Sequence, residues 1–73
     1  LAKIRNKVRA ARAEKGFTQQ ELAERTGVTR QTIGLIENEK HNPTIALGLN
    51  LSRELGRSLD ELFWLEADDH GDQ

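Results

Sequence analysis

Apolar residues recur along this chain at helical spacing, in short runs separated by glycine and by capping residues. Ile4, Val8 and Ala11 form one stripe, and Gly16 follows as a stop, so a first helix is expected over residues 1–15. Thr18-Gln19-Gln20-Glu21 is a capping-box pattern that opens a second helix, with Leu22 and Ala23 facing inward and Gly27 at its end. Thr29 caps a third helix over about 29–38, which turns Ile33 and Ile36 inward. A polar loop leads to Pro43, and Thr44 opens a fourth helix with Leu47, Leu51 and Leu55 at i, i+4 and i+8, closed by Gly56. Ser58-Leu59-Asp60-Glu61 is a second capping box, starting a short helix with Leu62 and Phe63. No strand alternation is visible. The expectation is one all-α domain of five helices over residues 1–65, with an acidic, frayed tail over 66–73.

Composition narrows the class. At 73 residues the chain suits one small domain, and an apolar content of 36% with a single proline favours folding over disorder. The absence of cysteine removes disulfides, thiolate metal sites and thiol nucleophiles, and is compatible with a cytoplasmic setting. No run approaches membrane-spanning length. The formal net charge of −1 hides an asymmetry. Residues 1–30 carry eight basic against three acidic side chains, whereas residues 31–73 carry three basic against nine acidic. A basic first half hints at a polyanionic partner, although solvated helix faces give the same pattern.

Ala23, Gly27, Ile33 and Ile36 carry more information. A small residue at 23 lets two helices cross closely, and Gly27 supplies the positive φ of a tight interhelical turn. Ile33 and Ile36, with Leu22 and Val28, fasten the pair to the rest of the bundle. Together they make a helix-turn-helix signal. From Ile4 to Phe63 the chain resembles the Xre-type, phage-repressor-like helix-turn-helix family, most strongly in GFTQQELAERTGVTRQTI and IENEKHNP. The resemblance implies a five-helix, lambda-repressor-like DNA-binding domain, usually dimeric and acting as a transcriptional regulator. Four positions depart from the family. Glu39 stands where glycine is common, Gly48 and Ser52 where alanine is more usual, and Arg57 where an apolar residue is usual. A non-glycine residue at 39 is strained if the backbone there is left-handed.

The third helix has an outer face that its packing does not explain. At about 100° per residue, Gln31, Gly34, Leu35 and Asn38 project away from Ile33 and Ile36, with Thr32 on the flank and Arg30 in the first turn. In a major groove Arg can clamp guanine, Gln can clamp adenine, and Leu can rest on a thymine methyl. The resemblance carries base contact onto Arg30, Gln31, Thr32 and Leu35. Gly34 is a candidate for close backbone approach to DNA, with tight packing against the fourth helix as the competing reading. Phosphate contact is expected from Gln19 and Gln20 at the N-terminus of the second helix, where free N–H groups and the helix dipole attract anions. Thr29, Asn38, Lys40, His41 and Asn42 complete the expected phosphate-contacting set, against the plainer reading of a hydrophilic loop.

Arg12 lies on the buried stripe of the first helix and Glu37 on the buried side of the third. Either charge alone would be costly there, so a structural ion pair is expected, and the family places an Arg–Glu pair at these two positions. Trp64 and Leu65 are too apolar for a frayed end and are the expected dimer interface, Leu62 and Phe63 being assigned to the core. The partners expected are double-stranded DNA and a second copy of the chain, with no cofactor, no metal, no membrane and no evident effector site. Catalysis is rejected, because no carboxylate pair with a cleft, phosphate loop or ligand cluster is present. The alternative is an antitoxin-like module that binds a protein partner as well as its own promoter.

Overall fold

The computed structural model describes residues 3–66. Its elements run β1 (Ile4–Asn6), α1 (Val8–Lys15), α2 (Gln19–Thr26), α3 (Arg30–Glu37), α4 (Ile45–Leu55), α5 (Leu59–Leu62) and β2 (Phe63–Leu65). The last four helices stand close to where the punctuation puts them, and the first ends where expected. Thr18, Thr29, Thr44 and Ser58 each accept the backbone N–H three residues on, and the capping boxes at Thr18–Glu21 and Ser58–Glu61 are complete. Gly16, Gly27 and Gly56 end α1, α2 and α4 in the left-handed conformation.

The core is one cluster. Val8, Leu22, Ala23, Ile33, Ile36 and Leu51 are fully buried, joined by Ala11, Leu47, Leu55 and Leu62, with Phe17, Val28 and Phe63 packed against it. Each fully buried large aliphatic side chain contributes about 1.5–3 kcal/mol relative to an exposed one. Every helix supplies at least one of these residues, so the orientation of α3 is fixed from several sides.

The two ends of the chain differ from the sequence expectation. The first helix begins at Val8 rather than at residue 1, and residues 4–6 form a strand instead. That strand pairs antiparallel with β2 in the register Ile4↔Leu65, Arg5↔Trp64 and Asn6↔Phe63. Flanking bonds extend the ladder, from the Lys7 N–H to the Leu62 carbonyl at 2.9 Å and from the Glu66 N–H to the Lys3 carbonyl at 2.7 Å. Asn6 explains the switch. Its Oδ1 accepts the Val8 N–H at 3.1 Å and its Nδ2 donates to the Ile36 carbonyl at 3.0 Å. An asparagine gains more by satisfying a helix end than by continuing a helix. Phe63 and Trp64, with their strand-favouring aromatic rings, leave the short α5 for the ribbon together with Leu65. For residues 67–73 the expected fraying lies outside the described residues.

The departures from the family pattern have local accounts. A Cβ at Gly48 would lie 3.1 Å from Leu59 Cδ1, so glycine lets α5 sit close to α4. Ser52 Oγ donates to the Arg57 carbonyl just past the end of α4, and Arg57 itself pairs with Glu14 of α1.

Candidate nucleic-acid interface

α2 and α3 pack against each other across the Gly27 turn, where Gly27 has φ 76° and the Val28 N–H donates to the Ala23 carbonyl at 3.0 Å. Ile33 and Ile36 are fully buried, so the opposite side of α3 faces outward. Arg30, Gln31 and Leu35 are exposed there, and Thr32 is half-buried. Thr32 Oγ1 lies 3.1 Å from Thr29 Oγ1, while Thr29 also accepts the Thr32 N–H at 3.2 Å. Thr29 therefore acts as the helix cap, and Thr32 shares its hydroxyl with that cap. Gln31 makes no side-chain hydrogen bond among the described residues.

Gly34 has no packing duty. A Cβ there would meet only Gln19 Nε2, at 3.9 Å, an ordinary van der Waals distance. The competing expectation of tight packing against α4 finds no support in this geometry.

Behind the outer face runs a polar network centred on Glu37, whose side chain is 0% exposed. Arg12 donates Nε to Oε2 at 2.6 Å and Nη2 to Oε1 at 3.2 Å, and its Nη1 reaches the Phe17 carbonyl at 2.9 Å. The expected Arg12–Glu37 pair is thus present, in two-pronged form. Gln19 Nε2 donates to Glu37 Oε1 at 3.0 Å, while Gln19 Oε1 accepts from Arg30 Nη1 at 3.3 Å. Arg9 adds a bond to Glu37 at 3.5 Å and another from Nη2 to Asn38 Oδ1 at 2.8 Å. Burial pushes the Glu37 carboxyl toward protonation, but the bonds from Arg12 and Gln19 outweigh it and hold the group below its ordinary range.

Of the expected phosphate-contacting residues, Gln20 is exposed and bonded to Glu24 at 3.0 Å. Lys40, His41 and Asn42 are exposed on the loop after α3, beside Asn38. These residues and the outer face of α3 belong to one continuous stretch of chain. Trp64 and Leu65 stand elsewhere, on the ribbon, and both are exposed. Lys7 Nζ sits 5.7 Å from the centre of the Trp64 ring. Trp64 and Leu65 both line an apolar hollow with Ile4, Leu59, Asp60 and Phe63. Among the described residues no cluster of three or more metal-ligating acids or histidines exists, and no helix is long and apolar enough to cross a membrane.

Sequence reasoning did not pick out Arg5, Asn6 and Arg9 as partners of α3. Arg9 could have been found from its place one turn before Arg12. Arg5 and Asn6 could not, because a continuous helix over residues 1–15 puts them elsewhere.

A family model described as helix-turn-helix matches residues 8–62. The chain belongs to the Xre-type helix-turn-helix family. An uncharacterized HTH-type transcriptional regulator of Methanothermobacter thermautotrophicus is 44% identical over 66 residues, covering 89% of this chain and 96% of that one. The uncharacterized HTH-type regulator YgzD of Bacillus subtilis is 37% identical over 65 residues, covering 89% and 98%. A crystal structure from Bacteroides fragilis, of a protein described as a "putative DNA-binding protein", superposes with a TM-score of 0.75 at 25% identity, over 82% of this chain and 97% of that one. This helix-turn-helix family is one of DNA-binding transcriptional regulators.

Proposed function

We propose that this chain is a sequence-specific regulator of transcription that reads double-stranded DNA with α3 in the major groove. Arg30, Gln31, Thr32 and Leu35 meet base edges, while Gln19, Gln20, Thr29, Asn38, Lys40, His41 and Asn42 flank the phosphates. One observation carries the reading: the outer face of α3 combines exposed Arg30, Gln31 and Leu35 with a glycine that folding does not use. The protein acts as a homodimer on a pseudo-palindromic operator in the cytoplasm, repressing by blocking polymerase. Its half-sites lie about 10 bp apart, one turn of the duplex. Trp64 and Leu65 belong to the dimer surface, which the hollow around Ile4, Leu59 and Phe63 extends.

Selection from random duplex DNA tests this directly, since it returns both the sequence and its symmetry. The expected result is a two-fold symmetric site bound with strong salt dependence. Failure to shift any duplex in a salt-sensitive way, including DNA from upstream of its own coding sequence, would refute the reading. A second reading, an antitoxin-like module, draws on Ile45 and Leu49, which are 76% and 54% exposed on α4. It is favoured instead if the chain purifies in fixed stoichiometry with a different protein.

A further inference from the structure

Glu39 is the one non-glycine residue with positive φ among the described residues, at 62°. It begins the loop that presents Lys40, His41 and Asn42. Two local considerations disfavour a glutamate at this place. The left-handed backbone favours glycine, and a carboxylate beside a phosphate-facing loop repels DNA. Its contacts lie in another direction. Oε2 accepts from Arg5 Nε at 2.9 Å, and Oε1 lies 3.5 Å from Lys3 Nζ, leaving the side chain 17% exposed. Arg5 also donates from Nη1 to Glu66 at 2.6 Å, so both edges of the ribbon take part. On the backbone, the Glu39 N–H donates to the Ile36 carbonyl and the Lys40 N–H to the Leu35 carbonyl, at 3.0 and 2.9 Å. Asn6 of β1 donates to that same Ile36 carbonyl. The end of α3, the first residue of its loop and the ribbon are therefore tied at one point.

We propose that Glu39 is a positioning residue: through Arg5 and Lys3 it holds the end of α3 and the following loop against the ribbon, and DNA affinity depends on that tether. The inference rests on the reading that α3 and this loop meet DNA, and it deepens it. A mere local charge and a tether predict opposite signs. As a local charge, Glu39 opposes DNA, and its removal tightens binding. As a tether, its removal loosens the loop and weakens binding.

The test uses the full chain and the duplex obtained by selection, with affinity measured well below the melting temperature of every variant. Glu39→Gln is expected to weaken binding about 3- to 10-fold although it removes a negative charge. Combined with Arg5→Gln, it should cost clearly less than the sum of the two single changes, because both break the Arg5–Glu39 link. Glu39→Gly relieves the backbone and should leave the melting temperature unchanged or higher while losing affinity as Glu39→Gln does, which separates positioning from folding. Equal or tighter binding by Glu39→Gln overturns the tether while leaving the regulator reading intact. The tether also has a readout without DNA: amide exchange at Lys40 should speed up about tenfold in both Glu39 variants. Unchanged exchange overturns the tether even if the wild-type chain binds no duplex, a result that would separately refute the regulator reading.

Discussion

The two sides of α3 are built from similar residues and put them to different uses. On the inner side every charged group has a partner: Glu37 is held by Arg12, Gln19 and Arg9, and no buried side-chain polar atom among the described residues lacks a hydrogen bond. On the outer side, among the described residues, Gln31 has no side-chain partner and Arg30 has one long bond to Gln19, while Leu35 is 40% exposed. Buried polar groups must be paired because desolvation is costly, so the inner network is accounted for by folding. The outer groups satisfy little in the fold beyond the Arg30–Gln19 bond and the hydroxyl that Thr32 shares with Thr29. Polar capacity left over on a rigid helix is what a ligand can use.

The largest effect should come from breaking the inner side. Arg12→Ala takes from the buried Glu37 carboxylate its two-pronged partner, leaving only Gln19 and the longer bond from Arg9, and should destabilise the fold by about 3–5 kcal/mol, measured by urea denaturation. A loss below about 1 kcal/mol, typical of exposed pairs, would show that water reaches Glu37 and would dissolve the contrast. Acid probes the same network. The Glu37 carboxyl is held below its ordinary range in the folded state, so it binds a proton more readily when unfolded. Its contribution is therefore fully present above the ordinary carboxylate range and is lost as pH falls through the depressed folded value. Glu39, held down by Arg5, and Glu61, held down by the Ser58 cap, add in the same direction. Stability should be level near neutrality and decline below about pH 4, with a shallower decline in Glu37→Gln.

The outer side should respond in binding instead of folding. Arg30→Ala or Gln31→Ala should leave the melting temperature nearly unchanged. Each should cost about 1–3 kcal/mol of affinity for the selected duplex and relax preference at one base pair. Lys40→Ala should weaken all duplexes alike and lower the salt slope by about one. If Arg30→Ala lost affinity equally on every sequence, Arg30 would be a phosphate contact and the base-reading face would shrink to Gln31, Thr32 and Leu35.

Legibility in the sequence divides along the same line. The helices, their caps and the inner stripe were readable because they follow local rules: period, capping boxes and terminal glycines. The Arg12–Glu37 pair was readable because two charges on two apolar stripes leave few arrangements. The ribbon was not. Its strands are three residues each and lie at opposite ends of the chain, so neither alternation nor a turn signals their pairing. Missing the ribbon also hid Arg5, Asn6 and the reason a glutamate can stand at position 39. The one local clue was Asn6, a residue type that favours helix starts over helix interiors, whose side chain accepts the Val8 N–H in a segment that otherwise suits a helix.

Gly34 puts the contrast under its sharpest test, with the smallest effect. In a helix interior glycine is worse than alanine by about 0.5–1 kcal/mol, from backbone entropy. The φ at Gly34 is not left-handed, and a Cβ would have room beside Gln19. Gly34→Ala should therefore raise stability by about that amount, read as a higher urea midpoint. If the groove comes close enough for the glycine to matter, the same methyl should weaken DNA binding on every sequence, since it intrudes on the approach of the helix itself. Opposite movements in the two measurements would show that α3 gives up stability at this position for contact. A variant that gains stability and keeps its affinity would leave Gly34 without a role in DNA binding and move the closest approach toward Arg30 and Gln31.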